Sequence, residues 1–424
     1  MVVANIPGLS EGASLLVIAV IAVVGLVVLI ARFRLHSFLA LAVASLFVGL
    51  CSAMPLQDIG TSFQEGVGAV LGSIAMVIGL GTVLGKLLAE SGGAERIART
   101  LIGVFGPKRL DWAMAAIAFL VGIPVFFSVG LVLLVPLVVA VARETGTPLL
   151  RLAIPMLAGL SVVHGLVPPH PGPMAAIGFI GADLGRTIFY SLLVGIPTTV
   201  VAGPLFGALL ARVSRAKAEG GVIESHHRPA GKALPGFGVT VFTILLPVGL
   251  MMLGTLAEVA LSESSRLKVW TSFVGHPIVA LLIAVLVSYY TLGVARGFDR
   301  HQLLRFTEDC VGPVAGVLLV VGAGGGFNRV LVAGGVGDAI SEFTTGLALS
   351  PLVLGWLVAA LIRVATGSAT VAITTAAGML APMLAGNAGA SVSPELLVLS
   401  MGAGSLILSH VNDGGFWLVK EFLR

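Results

Sequence analysis

The chain has 424 residues, 57% of them apolar and only 10% charged, with a mean hydropathy of +1.08 and a net charge of +4. A soluble protein carries about a quarter charged residues, so a soluble fold is excluded and a polytopic membrane protein indicated. The small positive balance gives no ground for a nucleic-acid partner, and Cys51 and Cys310, lone thiols in or beside apolar runs, imply no disulfide framework.

In chain order, the opening "MVVANIPGLSEG" has no basic residue, and the apolar run behind it is as long as a full span. It reads as a retained helix, not a cleaved signal. Uncharged runs near 12–31, 37–54, 66–85, 187–211, 236–257, 275–294 and 311–328 predict spanning helices. Interrupted runs near 152–182 and 394–418 predict helices broken within the membrane. Two further stretches, 112–142 and 364–394, each hold 31 residues without a charge. One crossing takes about 20 residues and two about 40, so each stretch suits a re-entrant hairpin of two half-length helices. Pro124 and Pro136 bend the first hairpin, at 112–142; Gly367 and Ser368 bend the second, which occupies 351–385. One long, tilted and kinked helix is the alternative for either.

Charge placement favours the hairpins. With the N-terminus outside and both hairpins returning to their own side, the inward segments are 32–36, 86–111, 143–151, 212–235, 295–310 and 419–424. They hold 19 of the 24 Lys and Arg, while the acids divide almost evenly. That is the asymmetry of the positive-inside rule.

An internal repeat is also legible. "GLGTVLGKLLAESGGAERIA" (79–98) aligns with "GAGGGFNRVLVAGGVGDAIS" (322–341) at an offset of 243, pairing Lys86 with Arg329 and Glu95 with Asp338. The same offset lays the first hairpin on the second and, with a short slip, His164 on His410. One copy starts outside and the other inside, which makes them inverted repeats, an architecture of secondary transporters. The fold class is thus an all-α membrane protein with a first repeat at 1–212, a polar cytoplasmic linker at 213–235 and a second repeat at 236–424. His226 and His227 in the linker read as solvated loop residues. The repeat also predicts a counterpart of 187–211 beyond Arg424. The "GAGGG" run follows no strand and reads as close helix packing, not a nucleotide loop.

The breaks carry the chemistry. In "HGLVPPHPGP", from His164, no helix can continue through Pro168, Pro169, Pro171 and Pro173. Non-helical backbone at membrane depth is tolerated only where protein or water satisfies it, and freed N–H groups at half-helix ends favour an anion. His164 and His410 match between repeats; each could instead be a buried imidazole bonded to a carbonyl. His170 is either a substrate contact or a donor that locks the loop. Asp413 is the one carboxylate inside a spanning segment and so a functional candidate, or else a structural acceptor for the break around Asn412. Arg363 in "LIRVATGSATVA" can grip a carboxylate through two parallel bonds, or snorkel to the outer surface. Ser368 and Thr370 can meet substrate hydroxyls or bond back to their own helix.

"HGLVPPHPGP", "RVATGSATVA", "NRVLVAGGVGDAI" and "SHVNDGGFWLVKEF" closely resemble the gluconate permease family, sugar-acid:proton symporters of bacterial inner membranes. The resemblance runs from the first helix to the end. It implies proton-driven transport of gluconate or a related hydroxy-carboxylate by an elevator-type homodimer, with paired hairpins and broken helices in a mobile domain. Two departures stand out. Family members usually continue into one more hydrophobic helix. Many also carry an acid in the first hairpin's "FF-x-VGF" stretch, where this chain has Ser128.

Together these readings give a secondary transporter with no cofactor beyond its coupling ion. The substrate carboxylate rests on the hairpin tips, Gly367 and Arg363, and its hydroxyls on Ser128, Ser368, Thr370 and Asn412. His164, Pro169, His170 and Gly172 line the first break. Proton exchange falls to Asp413 or to one of His164, His170 and His410. Sodium coupling is an alternative, since freed carbonyls coordinate cations. A passive anion channel is a rival from another class. So is an intramembrane metalloenzyme built on His164, His170, His410 and Asp413, which lacks an H-E-x-x-H helix.

Overall fold

The structure, a computed structural model, describes residues 9–213, 233–262, 265–336, 339, 350–384, 392–409 and 413–422. Every described element is helical, in keeping with lipid, where each backbone polar group must find its partner inside the segment. Among the described residues seven helices are long and apolar enough to cross a membrane, and an eighth span forms if Leu56–Gly72 and Ala75–Glu90 are taken together. The chain is therefore a multi-pass membrane protein.

In order the α-helices are α1 (Glu11–Ala31), α2 (Ser37–Cys51), α3 (Leu56–Glu90), α4 (Gly93–Phe105), α5 (Leu110–Gly122), α6 (Phe127–Thr145), α7 (Leu149–Leu166), α8 (Pro171–Ile180), α9 (Leu184–Val200) and α10 (Phe206–Val213). After the linker come α11 (Phe237–Ala260), α12 (Arg266–Gly275), α13 (Pro277–Ser288), α14 (Arg300–Glu308), α15 (Val311–Ala333), α16 (Pro351–Thr366), α17 (Ala369–Leu384), α18 (Pro394–Gly404) and α19 (Gly414–Phe422). A π-helical turn at Val201–Leu205, around Pro204, joins α9 to α10. Most of the linker, with His226 and His227, lies outside the described residues, as do His410 and Asn412.

Helices α4, α12 and α14 fall where the sequence reading placed none, and two predicted spans differ in their bounds. Helix α3 begins ten residues ahead of the apolar run at 66–85, because Gln57, Asp58, Gln64 and Glu65 sit on exposed turns that water solvates. Helix α2 stops at Cys51, where Ala53 takes a positive φ of 55°.

Neither long uncharged stretch is one continuous helix. The first is interrupted at Ile123–Phe126, around Pro124, and the second at Gly367–Ser368. Gly367 has φ 74°, a left-handed conformation that a side chain would strain. The run 152–182 breaks at Val167–His170, where Pro168 and Pro169 remove donors, while Pro171 and Pro173 fall in the first turn of α8, where no N–H is needed. Helix α18 ends at Gly404, residues 405–409 are not helical, and the next described helix begins at Gly414.

Backbone contacts divide the chain into two compact units. The first holds Met1–Ala75, Pro171–Asp183 and Ala315–Gly414. Its core joins Leu26, Leu41 and Val48 of α1 and α2 to Phe327, Val330 and Leu331 of α15. The glycines of "GAGGG" make this packing possible: a Cβ on Gly325 would stand 2.9 Å from Val70, and one on Gly322 3.2 Å from Leu71. The second unit holds Met76–His170, Leu184–Val314 and Gly415–Arg424. Its main core is Met114 and Ile117 of α5, Leu131 and Leu134 of α6, and Leu152 and Met156 of α7, with Leu418 and Val419 of α19 packed against it.

Candidate functional site

Within the second unit, the broken helix and the first interrupted stretch are tied together by one imidazole. Helix α7 closes with Val167 donating to the Val163 carbonyl at 2.9 Å, and the His170 N–H reaches back to Val167 at 3.3 Å. The His170 side chain is buried, and its Nε2 lies 2.8 Å from the carbonyl oxygen of Gly122, the last residue of α5. A carbonyl only accepts, so Nε2 carries the proton and the tautomer is set. Gly122 also accepts from Val125 at 3.2 Å, because its in-helix partner is displaced by the break. The His164 ring meets His170 edge-on with centroids 5.1 Å apart, and Phe126 and Phe127 close the aromatic side at 6.3 and 6.4 Å.

Helix α3 lays two glycines on these breaks. A Cβ at Gly81 would touch Pro169 Cγ at 3.5 Å, and one at Gly85, a turn later, would run into the Pro124 carbonyl. This G-x-x-x-G spacing lets backbone lie on backbone. Ser128, in the first turn of α6, is exposed and outside the imidazole cluster.

Within the first unit a second cluster gathers at the end of α16. Arg363 is only 5% exposed, so it does not snorkel. Its Nη1 donates to the Gly367 carbonyl and its Nη2 to Asp413 Oδ2, which also accepts from the Ser409 hydroxyl. The Gly367 N–H bonds back to the Arg363 carbonyl at 2.9 Å. Ser368 caps α17, its hydroxyl oxygen accepting from Val371 at 3.3 Å. Thr370 stands half-buried in the same first turn. Gly172 of α8 packs here: a Cβ on it would stand 2.7 Å from Ile373 Cγ2 and 3.7 Å from Thr370 Cα.

The cluster is an internally neutral ion pair, its guanidinium buried and its carboxylate 15% exposed. Such a pair is held only if both partners keep their hydrogen bonds, and removal of either charge strands the other. It can therefore exchange one anion for another, provided a proton or a cation balances the charge. Among the described residues no three His, Cys, Asp or Glu side chains come together to hold a metal ion. Sequence reasoning missed Ser409 and the Gly122 carbonyl; neither has a signal in a linear pattern, since Ser409 and Asp413 both lie outside the helices.

Residues 14–424 match the sequence profile of a family described as GntP family permease. The gluconate permease of Pseudomonas aeruginosa is 53% identical over 418 residues, 98% of this chain and 92% of that protein. The high-affinity gluconate transporter of Escherichia coli is 43% identical over 409 residues, 96% and 92% of the two. Among solved structures, the YdaH transporter of Alcanivorax borkumensis aligns with a TM-score of 0.62 at 19% identity, covering 91% of this chain and 90% of that one. The last likeness is one of fold.

Proposed function

The chain belongs to the GntP permease family, whose relatives here are named permeases and transporters and not enzymes, and from that premise we propose that it imports gluconate or a closely related sugar acid in symport with protons. The observation that carries this reading is the buried pair of Arg363 and Asp413 at the Gly367 break. A proton reaching Asp413 removes the charge that holds Arg363. The guanidinium then takes the substrate carboxylate in its place, a planar anion it can bind through two bonds. Proton and acid anion enter together, and the site stays neutral at both ends of the cycle. Each raises the other's affinity, which is what symport requires. His164, His170 and His410 are the alternative proton carriers.

We read the chain as two inverted repeats working as an elevator-type homodimer in the bacterial inner membrane, with the N-terminus in the periplasm. The make-up of the two units supports the repeat. The first repeat changes unit after residues 75, 170 and 183; the offset of 243 carries the first two points to 318 and 413, and the second repeat changes unit after 314 and 414. Two ion pairs support it as well. Lys86 binds Asp309 at 3.3 Å within the second unit, and its repeat mate Arg329 binds Glu65 at 3.2 Å within the first. Under the same offset Asp309 falls on Gly66, beside Glu65. The bias of basic residues to one side supports the orientation.

Proteoliposomes with an inside-alkaline gradient test the coupling. Labelled gluconate accumulates in wild type, whereas Asp413→Asn retains exchange of internal for external gluconate and loses accumulation. Accumulation driven only by sodium would contradict the proton assignment, and accumulation unimpaired in Asp413→Asn would move the proton to His164, His170 or His410.

A further inference from the structure

Helical threonines in this chain return their hydroxyl to the carbonyl one turn back; Thr61, Thr82, Thr243, Thr291 and Thr366 do so at 2.7–3.1 Å. Thr374 and Thr375, in mid-α17, break this habit, as does Thr199 of α9, but only these two are adjacent. They are 0% and 1% exposed, and neither hydroxyl has a hydrogen-bond partner. The side-chain carbonyl of Asn328, on α15, is buried without a partner too.

Thr374 and Asn328 fall on one crossing within the first unit, and Thr375 is the next residue along α17. A Cβ at Gly324 would stand 2.8 Å from Thr374 Cγ2, and one at Gly378 would stand 3.5 Å from Asn328 Cβ and 3.4 Å from the Gly324 carbonyl oxygen. Gly324 and Asn328 are one turn apart on α15, as Thr374 and Gly378 are on α17. Valine would fill the space of either threonine without burying an unmet hydroxyl, so the hydroxyls cost stability unless something binds them. A metal ion would engage the oxygens and leave both hydroxyl hydrogens unmatched. A ligand hydroxyl donates to one oxygen and accepts from the next, and so satisfies threonine and asparagine together.

The crossing lies on the helix that starts at the Arg363 cluster. Thr370 and Thr374 are four apart and share a face, and from Ser368 to Thr374 the helix rises about 9 Å, comparable with an extended sugar acid. We propose that Asn328, Thr374 and Thr375 bind the hydroxyl-bearing tail of the substrate whose carboxylate goes to Arg363, and so select extended polyhydroxy acids over short hydroxy acids. This rests on the transport reading above and assigns the tail's partners within it.

The test uses T374V and T375V, each made separately in the full chain, with labelled gluconate uptake into proteoliposomes and competition by unlabelled gluconate and glycerate. The expected result is a roughly tenfold rise in half-saturating gluconate for each variant. The preference for gluconate over glycerate should shrink by the same factor, the ligand-free thermal midpoint should not fall, and T374S should restore wild-type values. Unchanged half-saturation would overturn the proposal and assign the hydroxyls to structural water, and an equal loss for glycerate would overturn it as general damage. Should one variant fail to fold, the other decides. Wild type that takes up neither acid would overturn the transport reading and this inference with it, a result separate from those above.

Discussion

Arg363 spends its guanidinium on two acceptors, the Gly367 carbonyl and the Asp413 carboxylate, in a place almost closed to solvent. Breaking a buried pair from one side costs about 3–5 kcal/mol, whereas replacing both members with apolar groups is often neutral. Arg363→Met should therefore lower stability by about that much, and Arg363→Met with Asp413→Leu should recover most of it. Thermal unfolding of the ligand-free protein checks this; equal loss in single and double variants would show that the pair is not coupled. Outside the membrane-spanning segments, burial pushes the Cys310 thiol above its ordinary pKa, with Asp309 adding to the rise and Lys86 opposing it. The thiolate is the nucleophile, so iodoacetamide should modify Cys310 more slowly at neutral pH than a free thiol and catch up only at higher pH. A rate matching free cysteine at neutral pH would contradict the burial. At this scale the sequence was half legible. Arg363 and Asp413 stood out as charges within apolar stretches, but nothing in a linear pattern pairs residues 50 apart. Thr374 and Thr375 were passed over because a threonine in an apolar helix ordinarily bonds its own backbone.

At the scale of the element, helix positions followed from apolar runs, and breaks from the prolines and from Gly367, because both act on the local backbone. What did not follow was α3, whose first ten residues are too polar to read as part of a span. Its packing was equally hidden. Gly81 and Gly85 look alike in sequence, yet they meet different surroundings: a methyl at Gly81 makes an ordinary contact with Pro169, while one at Gly85 collides with the Pro124 carbonyl. Gly81→Ala should leave uptake near wild type. Gly85→Ala should force α3 off the break and reduce both uptake and thermal stability, by about 1–3 kcal/mol for overpacking. Equal behaviour of the two variants would mean that α3 does not rest on these breaks as described.

At the scale of the molecule, the all-helical, multi-pass architecture was legible from composition alone, since only helices satisfy so apolar a chain. The exchange of segments between two units was not, because it depends on contacts between distant parts of the chain. If the repeats are inverted, the Glu65–Arg329 pair faces the periplasm and the Lys86–Asp309 pair the cytoplasm. In a cysteine-free background, Glu65→Cys should react with an impermeant maleimide from outside intact spheroplasts, and Asp309→Cys only in inverted vesicles. Labelling of both from one side would refute the inversion.

The most direct test is a pH electrode in a lightly buffered suspension of sodium-free proteoliposomes to which gluconate is added. Co-entry of a proton with each gluconate predicts a prompt alkaline shift outside the vesicles that is lost in Asp413→Asn. Gluconate entry without any pH change, or entry only after sodium is supplied, would contradict proton symport at the Arg363–Asp413 site.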